Sequence, residues 1–364
     1  MNRTTVLRPW VLLVVIGSLF TMLIGSVGAQ SDWSPRPVTA SLKGSGATFP
    51  APLYAAWIEV YKKVTPSVTI SYQGVGSGQG QKDFIGYLTD FGGSDAALTA
   101  GRVQTEAPDT LHVPTVLGAV VPTYNLPGIT NLRFSPETLA GIYLGAITRW
   151  NDGRIANDNS DVKLPNTSIT VVYRSDGSGT TSIWTDYLTK ISADWKTDVG
   201  SGNSVRWPVG VGAPGNAGVA STVKNTNGAI GYVELVFALA NKLAVPAVKN
   251  AAGNYILPSL ESTSAAADGI AVPADLVVSL TNSPNPKAYP VAGFTYILVH
   301  SSTYTDVAKA QALTDFIYWS LTEGTGAANR LGYAALPASL RVKAIKQLQK
   351  VTVAGKPVFN GAAR

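Results

Sequence analysis

The sequence predicts an α/β fold. Segments with the apolar patterns of strands alternate along the chain with segments of helical periodicity, which favours mostly parallel sheets. Hydrophobic residues make up 45% of the 364 residues, enough for a sizeable core in two domains. Internal repeats and low-complexity tracts are absent from the sequence, and this composition excludes a disordered chain, a coiled coil and a fibrous protein.

The N-terminal segment has the pattern of a signal peptide. Arg3 and Arg8 precede the apolar run Trp10–Val27, and small residues lead up to Ala29. We expect residues 1–29 to be cleaved after Ala29. The alternative is an uncleaved membrane anchor, since about 18 apolar residues can just span a bilayer. Both alternatives place the body of the protein outside the cytoplasm, in the periplasm or another extracytoplasmic space.

The helices and strands of the body follow from periodicity and from residues that begin or end helices. Pro66 ends the first helix, and Ser135-Pro136 predicts an N-cap followed by a first helical residue. Helical patterns cover residues 50–63, the stretch containing Phe84, Ile85 and Leu88, and residues 180–188, 308–321 and 337–348. Strand patterns cover residues 68–72, 116–123, 169–173, 228–233 and 294–299.

Four short segments rich in small residues stand out. Residues 44–50, 74–80 and 174–181 each precede a helix, and residues 91–95 connect a helix to the next strand. Helix N-termini offer unpaired N–H groups, glycine permits close backbone approach, and Ser and Thr add hydroxyl donors. Arg174 adds a guanidinium suited to oxyanions. Together these features indicate a site for a tetrahedral oxyanion.

The residue content argues against a metal or cofactor site and against nucleic-acid binding. There is no cysteine, and His112 and His300 have no paired spacing, so we expect no metal site and no cofactor. No P-loop occurs, and the scattered basic residues argue against nucleic-acid binding. Each glycine loop alone is also explained as an ordinary turn, with Arg174 paired to Asp176 and Asp95 serving as a helix N-cap.

Six segments, in order between Leu42 and Leu336, closely resemble the PstS-type periplasmic phosphate-binding proteins, which are the receptors of the ABC-type phosphate importer: GSGATFPAPLYAAW, SYQGVGSGQG, DFGGSDAAL, YLGAITRWND, RSDGSGTTSIWTDYL and GAIGYVE. The resemblance implies two α/β lobes with phosphate in the cleft between them. Residues 30–120 and 293–364 would form lobe I and residues 121–292 lobe II. The strands at residues 116–123 and 294–299 would be the crossovers between the lobes.

The resemblance also implies a set of ligands. Asp176 would hold the arginine of the third loop, while residues 78–80 depart from the Ser-Gly-Gly that many relatives have, and the two histidines would be structural. The protein would not be an enzyme. It would be a monomer before it docks on the permease and ATPase subunits of the importer. The implied phosphate ligands are Thr48, Phe49, Ser77, Asp95, Arg174, Ser178, Gly179 and Thr180.

Asp95 would select phosphate over sulfate by accepting a hydrogen bond from the protonated oxygen of phosphate. Phosphate keeps a proton at neutral pH and sulfate does not, and an ionised carboxylate only accepts hydrogen bonds. A site built for a substrate O–H rejects the analogue that lacks it by roughly 10⁴-fold. Three alternatives remain: an extracytoplasmic phosphatase or other hydrolase, a binding protein for sulfate, molybdate or tungstate, and a surface adhesion or scavenging protein. A hydrolase is disfavoured because no G-x-S-x-G motif or metal-ligand cluster occurs.

Overall fold

The computed structural model describes residues 33–361. The predicted signal peptide or anchor lies outside these residues. Within them, no helix is both long and apolar enough to span a bilayer. The chain divides between Ser34 and Pro35, and the fold described below is that of the unit that begins at Pro35.

The strands of this unit form one large sheet and two small ones. In chain order they are β1 (Ala40–Gly46), β2 (Val68–Gly74), β3 (Phe91–Ser94), β4 (Thr110–Tyr124), β5 (Arg133–Phe134), β6 (Thr170–Arg174), β7 (Val211–Ala213), β8 (Ala229–Glu234), β9 (Ala247–Lys249), β10 (Tyr255–Ile256), β11 (Ala292–His300), β12 (Ala334–Ala335), β13 (Thr352–Val353) and β14 (Lys356–Pro357). The large sheet has the spatial order β2-β1-β3-β11-β4-β8-β6-β7, with β12 beside β4.

Helices connect the strands. In chain order they are α1 (Ala51–Val64), α2 (Ser77–Ile85), α3 (Ala100–Glu106), α4 (Pro136–Tyr143), α5 (Gly153–Asp158), α6 (Gly179–Ile191), α7 (Ala193–Asp198), α8 (Gly215–Asn225), α9 (Leu235–Ala240), α10 (Leu260–Ala265), α11 (Val307–Leu321), α12 (Thr325–Arg330) and α13 (Ala338–Leu348). Ser135 caps α4 by accepting from the N–H of Thr138, as predicted.

The middle of the large sheet differs from the mostly parallel sheet that was predicted. β1 is parallel to β2 and β3, and β6 is parallel to β7 and β8. The strands β4 and β11, however, run antiparallel to each other and to β8 and β3, respectively. β4 pairs with β11 up to Ala119 and with β8 from Val120 onward, so a single strand passes from one half of the sheet to the other.

The prediction for the second helix was partly wrong. It expected a glycine loop through Gly80, but α2 begins at Ser77 and ends at Ile85. Leu88 lies beyond the helix end, and 71% of its surface is exposed. Glycines 78 and 80 lie within this helix. Their small size is required by close packing against neighbouring backbone and not by a turn.

The strands β4 and β11 form the centre of the core. All nine residues of β11 and the last thirteen of β4 are buried, because the sheet is covered on both faces there. The strands β1, β2 and β3 are parallel, so their carboxyl ends lie at one edge of the sheet. β6 and β7 likewise end together, after Arg174 and Ala213. These two edges carry the loops that the sequence singled out.

Candidate functional site

Loops from both halves of the sheet meet at one place. The N–H of Gly78, in the first turn of α2, donates to the carbonyl of Gly177 at 2.9 Å. Gly179, the first residue of α6, packs against both Ser77 and Asp95. The segments at residues 74–80, 91–95 and 174–181 therefore form one cluster.

This convergence needs glycine at two positions. Gly76 has φ +93°, and a Cβ atom there would lie 2.4 Å from a carboxylate oxygen of Asp176. A Cβ on Gly179 would lie 2.5 Å from Ser77 Oγ and 2.6 Å from Asp95 Cβ. Both distances are shorter than real Cβ atoms tolerate, so the glycines allow the two halves to touch.

Arg174 is buried at the end of β6 and paired with a carboxylate. Its Nε and Nη2 atoms donate to the two oxygens of Asp176 at 2.7 and 2.5 Å. Burial alone would raise the pKa of Asp176, but the hydrogen bond and charge of Arg174 and the N–H of Gly215 hold it below its usual value. The Nη1 atom faces the Thr180 hydroxyl at 3.5 Å. One edge of the guanidinium is thus held by Asp176 while the other points to α6.

Asp95 is a buried carboxylate at the end of β3, and 6% of its surface is exposed. Thr295 Oγ1 donates to its Oδ1 at 2.8 Å, and Ser77 Oγ lies 3.4 Å from its Oδ2. Burial raises the pKa of Asp95 to about 7, against the opposing effects of Thr295, the Arg174 charge and Ser77. The site therefore keeps this carboxyl close to its protonation midpoint at neutral pH.

The alternative of Asp95 as a helix cap is wrong. The next helix, α3, begins at Ala100 and is capped by Thr99, whose side chain accepts from the N–H of Arg102. The hydrogen-bond partners of Asp95 belong to β11 and α2 instead.

The N-terminus of α6 contributes several polar groups. Ser178 caps the helix by accepting from the N–H of Thr181 at 3.1 Å. Helix geometry leaves the N–H groups of Gly179 and Thr180 without intrahelical partners, and they lie at the positive end of the helix dipole. Ser178 and Thr180 are fully buried, so these groups act in a low-dielectric environment.

The first loop lies between β1 and α1. Thr48 is half-buried, and its Oγ1 accepts from the side-chain amide of Asn216 at 2.9 Å. Phe49 is fully buried, and its carbonyl accepts from the Tyr333 hydroxyl at 2.7 Å. The structure thus brings Thr48 to the residues that follow β7, in the other half of the sheet.

Two cavities reach the cluster. One of about 470 Å³ is lined by Thr48 and Asp176, together with residues that follow β2 and β7. Another of about 200 Å³ is lined by Asp95, residues of α6 and the start of β11. The cluster contains hydroxyl, N–H and guanidinium donors and two carboxylates, of which Asp176 is held by Arg174 and Asp95 is not held by an arginine.

Sequence reasoning missed two site residues. Asn216, near the start of α8, is fully buried and contacts both Thr48 and Thr180. Its segment, Pro-Gly-Asn-Ala-Gly, is a further glycine-rich strand-to-helix connection, so the pattern used for the other loops could have found it. Thr295 lies in the apolar strand β11, where nothing in the sequence distinguishes it.

A buried carboxyl adjoins Asn216. Glu234, at the end of β8, donates its N–H to Asn216 Oδ1 at 3.0 Å, and its own Oε2 accepts from the N–H of Val236. Burial raises the pKa of Glu234 well above its ordinary value. The sequence motif that contains it carried no predicted ligand.

The two histidines have contacts of their own. His112 Nε2 accepts from the N–H of Leu98 at 3.0 Å, and burial lowers its pKa to about 4. The His300 ring stacks between Phe84 and Tyr87, with centroids 4.0 and 4.6 Å away. Within residues 33–361, no group of three or more His, Asp or Glu side chains is placed to hold a metal ion.

The comparisons with known proteins agree with one another. Residues 34–323 match the model of the PBP superfamily domain. The chain is 42% identical over 302 residues to "Phosphate-binding protein PstS" of Pasteurella multocida, covering 82% of this chain and 86% of that protein. The PstS protein of Methanocaldococcus jannaschii is 37% identical over 338 residues, covering 86% and 87%, respectively.

Solved structures match as well. The high-affinity periplasmic phosphate-binding protein PfluDING, solved with phosphate bound, superposes with a TM-score of 0.70 at 25% identity, covering 89% of this chain and 99% of that one. The predicted two-lobed α/β fold is therefore confirmed. The lobe boundaries at residues 120/121 and 292/293 stay a prediction.

Proposed function

The chain belongs to the PstS-type phosphate-binding proteins of the PBP superfamily, and from that premise we propose that it is an extracytoplasmic receptor that binds inorganic phosphate and delivers it to an ABC importer. The relatives named PstS and the periplasmic phosphate-bound neighbour support this assignment. The partners would be the permease and ATPase subunits of that importer.

One observation carries the proposal: donors from both halves of the sheet converge on a carboxylate, Asp95, whose hydrogen-bond partners are hydroxyls and not a cationic side chain. Ser77, Arg174, Ser178 and Thr180 are each less than 5% exposed, and they converge with Asp95 between the two loop-bearing edges. Hydrogen bonds to an anion are roughly twice as strong as neutral ones. Such a site fits a tetrahedral anion that brings both acceptor oxygens and a proton.

Thr48 and the N–H groups of Phe49, Gly179 and Thr180 complete the proposed ligand set. Phe49 precedes Pro50, the N-cap of α1, and Gly179 and Thr180 begin α6. The N–H groups of Gly179 and Thr180 are unpaired at the start of a helix, the usual source of backbone donors to phosphate, and the N–H of Phe49 lies just before the N-cap of α1. Asp176 holds Arg174 in place, so it supports the site without contacting the anion itself.

Asp95 would select phosphate over sulfate. When Asp95 is ionised it accepts the phosphate O–H, whereas a sulfate oxygen at the same place would face it without a proton between them. Because the pKa of Asp95 is raised to about 7, the protonated form is populated near and below this pH. A protonated Asp95 can donate to a sulfate oxygen, so sulfate is rejected only by the ionised form. Selectivity therefore depends on one proton shared between the carboxyl and the anion.

Isothermal titration on protein stripped of bound anion tests the proposal. We expect one phosphate per chain, no effect of EDTA, weak or undetectable sulfate binding near pH 8, and no turnover of p-nitrophenyl phosphate. Absence of phosphate binding would overturn the proposed ligand, and loss of binding on EDTA treatment would overturn the metal-free site. Steady hydrolysis of the ester would instead favour the phosphatase alternative.

A further inference from the structure

Asn216 makes hydrogen bonds on every side. Its Nδ2 donates to Thr48 Oγ1 at 2.9 Å and to Thr180 Oγ1 at 3.1 Å. Its backbone N–H also donates to Thr48 Oγ1, at 3.3 Å, and its Oδ1 accepts from the N–H of Glu234 at 3.0 Å. The side chain is fully buried.

These contacts fix which way the amide points. The N–H of Glu234 can only donate, so the atom facing it must be the amide oxygen. The NH₂ group must then face the two threonines. Its two hydrogens match the two hydroxyl oxygens that lie within hydrogen-bond distance.

The amide in turn fixes the two hydroxyls. A hydroxyl has one proton and two lone pairs. Thr48 Oγ1 accepts two N–H bonds, both from Asn216. Thr180 Oγ1 accepts from Asn216 and faces the Nη1 atom of Arg174. With their lone pairs directed to these donors, both hydroxyls are left to donate their protons to a further group.

We propose that Asn216 is a positioning residue for the anion site, which holds the hydroxyls of Thr48 and Thr180 as donors toward the bound phosphate without touching it. This inference rests on the proposed function, since it takes phosphate as the group that receives the two protons. Thr48 follows β1 and Asn216 follows β7. The orientation of Thr48 is therefore set across the two halves of the sheet.

A double-mutant comparison tests this role. Asn216→Leu removes the amide and frees both hydroxyls to rotate. We expect it to weaken phosphate binding roughly tenfold in the parent protein. In a Thr48→Val, Thr180→Val background the hydroxyls are already gone, so the same change should cost less than about threefold. Titration with inorganic phosphate measures all four affinities.

A matched control separates positioning from general destabilisation. Asn159 is also buried, and its amide donates to the carbonyls of Arg133 and Ile155 while its oxygen accepts from the N–H of Arg133. Asn159→Leu should lower the melting temperature without changing the phosphate affinity. An equal loss of affinity in this control would overturn the specific role of Asn216.

The remaining outcomes are decisive as well. Unchanged phosphate affinity of Asn216→Leu, or an equal cost in the parent and in the threonine-free background, overturns the inference while leaving the proposed function intact. A parent protein that binds no phosphate refutes the proposed function itself. If Asn216→Leu does not fold, Asn216→Asp gives the same comparison, because it keeps the acceptor for Glu234 and its added charge is common to both backgrounds.

Discussion

Sulfate binding should depend steeply on pH because of Asp95. The side chain is buried, and its pKa is raised to about 7. Sulfate brings no proton, so it needs the protonated carboxyl, and each sulfate bound above this pKa must take up one proton. The apparent sulfate affinity should therefore fall about fiftyfold, or roughly 2.3 kcal/mol, between pH 7 and pH 9, and the slope should approach tenfold per pH unit.

Phosphate should behave differently over the same range. It still carries a proton to donate to the ionised carboxylate, so its affinity should change much less than that of sulfate. Asp95→Asn removes the titrating group and can turn either its oxygen or its NH₂ toward the anion. The variant should keep substantial phosphate binding, gain measurable sulfate binding near pH 8, and lose the steep pH dependence for sulfate.

Competition titrations at several pH values measure these affinities, and calorimetry in two buffers of different ionisation enthalpy counts the proton taken up. Asp109→Asn is the matched control, since Asp109 pairs with His300 and Thr303 instead of the cluster. It should keep the parent slope. The reasoning about Asp95 fails if the parent shows a flat sulfate affinity from pH 7 to 9, or if Asp95→Asn excludes sulfate as strongly as the parent.

Three further predictions concern neighbouring groups. Arg174→Ala should weaken phosphate binding roughly tenfold to a hundredfold, the worth of one charge-assisted hydrogen bond; a loss of thermal stability with unchanged affinity would mean that Arg174 serves only Asp176. Ser178→Ala should lower the free energy of unfolding by about 1 kcal/mol and also weaken phosphate binding. Ser135→Ala removes an equivalent helix cap and should lower the free energy of unfolding alone. Chemical denaturation measures the stabilities and titration the affinities, and equal phosphate affinities of the two variants would contradict a ligand role for Ser178. In phosphate-free buffer, burial raises the pKa of Asp95 from 3.8 to about 7, so its contribution to stability is full below pH 3.8 and is lost as the pH rises through 7. The free energy of unfolding of the parent should therefore fall by up to about 4 kcal/mol relative to that of Asp95→Asn between pH 4 and pH 8. The same pH dependence of the unfolding free energy in both proteins would refute this.

The fold was predictable where strong local signals agree. Ser135 and Pro136 fixed the start of α4 through a cap and a proline that suits the first helical position. The unbroken apolar run of β4 identified a buried strand, although the structure extends it to Thr110–Tyr124. The direction of β4 and β11 was not predictable, because strand patterns carry no information about which neighbour a strand pairs with.

The limits at the site have the same physical origin. Glycines 76, 78 and 80 predicted a loop. In the structure they allow close contact with neighbouring backbone and side chains, and two of them lie inside α2, which begins at Ser77. Thr295 reaches Asp95 only through the pairing of β3 with β11. Contacts between residues two hundred positions apart depend on topology, which periodicity does not give.

The hydrogen bonds of Thr48 and Asp95 differ in whether they join the two halves of the sheet. Thr48 belongs to the half of the sheet formed by β1, β2 and β3, while Asn216 belongs to the half formed by β6, β7 and β8. If the two predicted lobes separate, Thr48 loses the amide that directs its hydroxyl. Asp95 keeps its partners Ser77, on α2, and Thr295, on β11, which pairs directly with β3. The acceptor would then be preset in the open protein, and the donor orientation of Thr48 would be completed only when the halves meet.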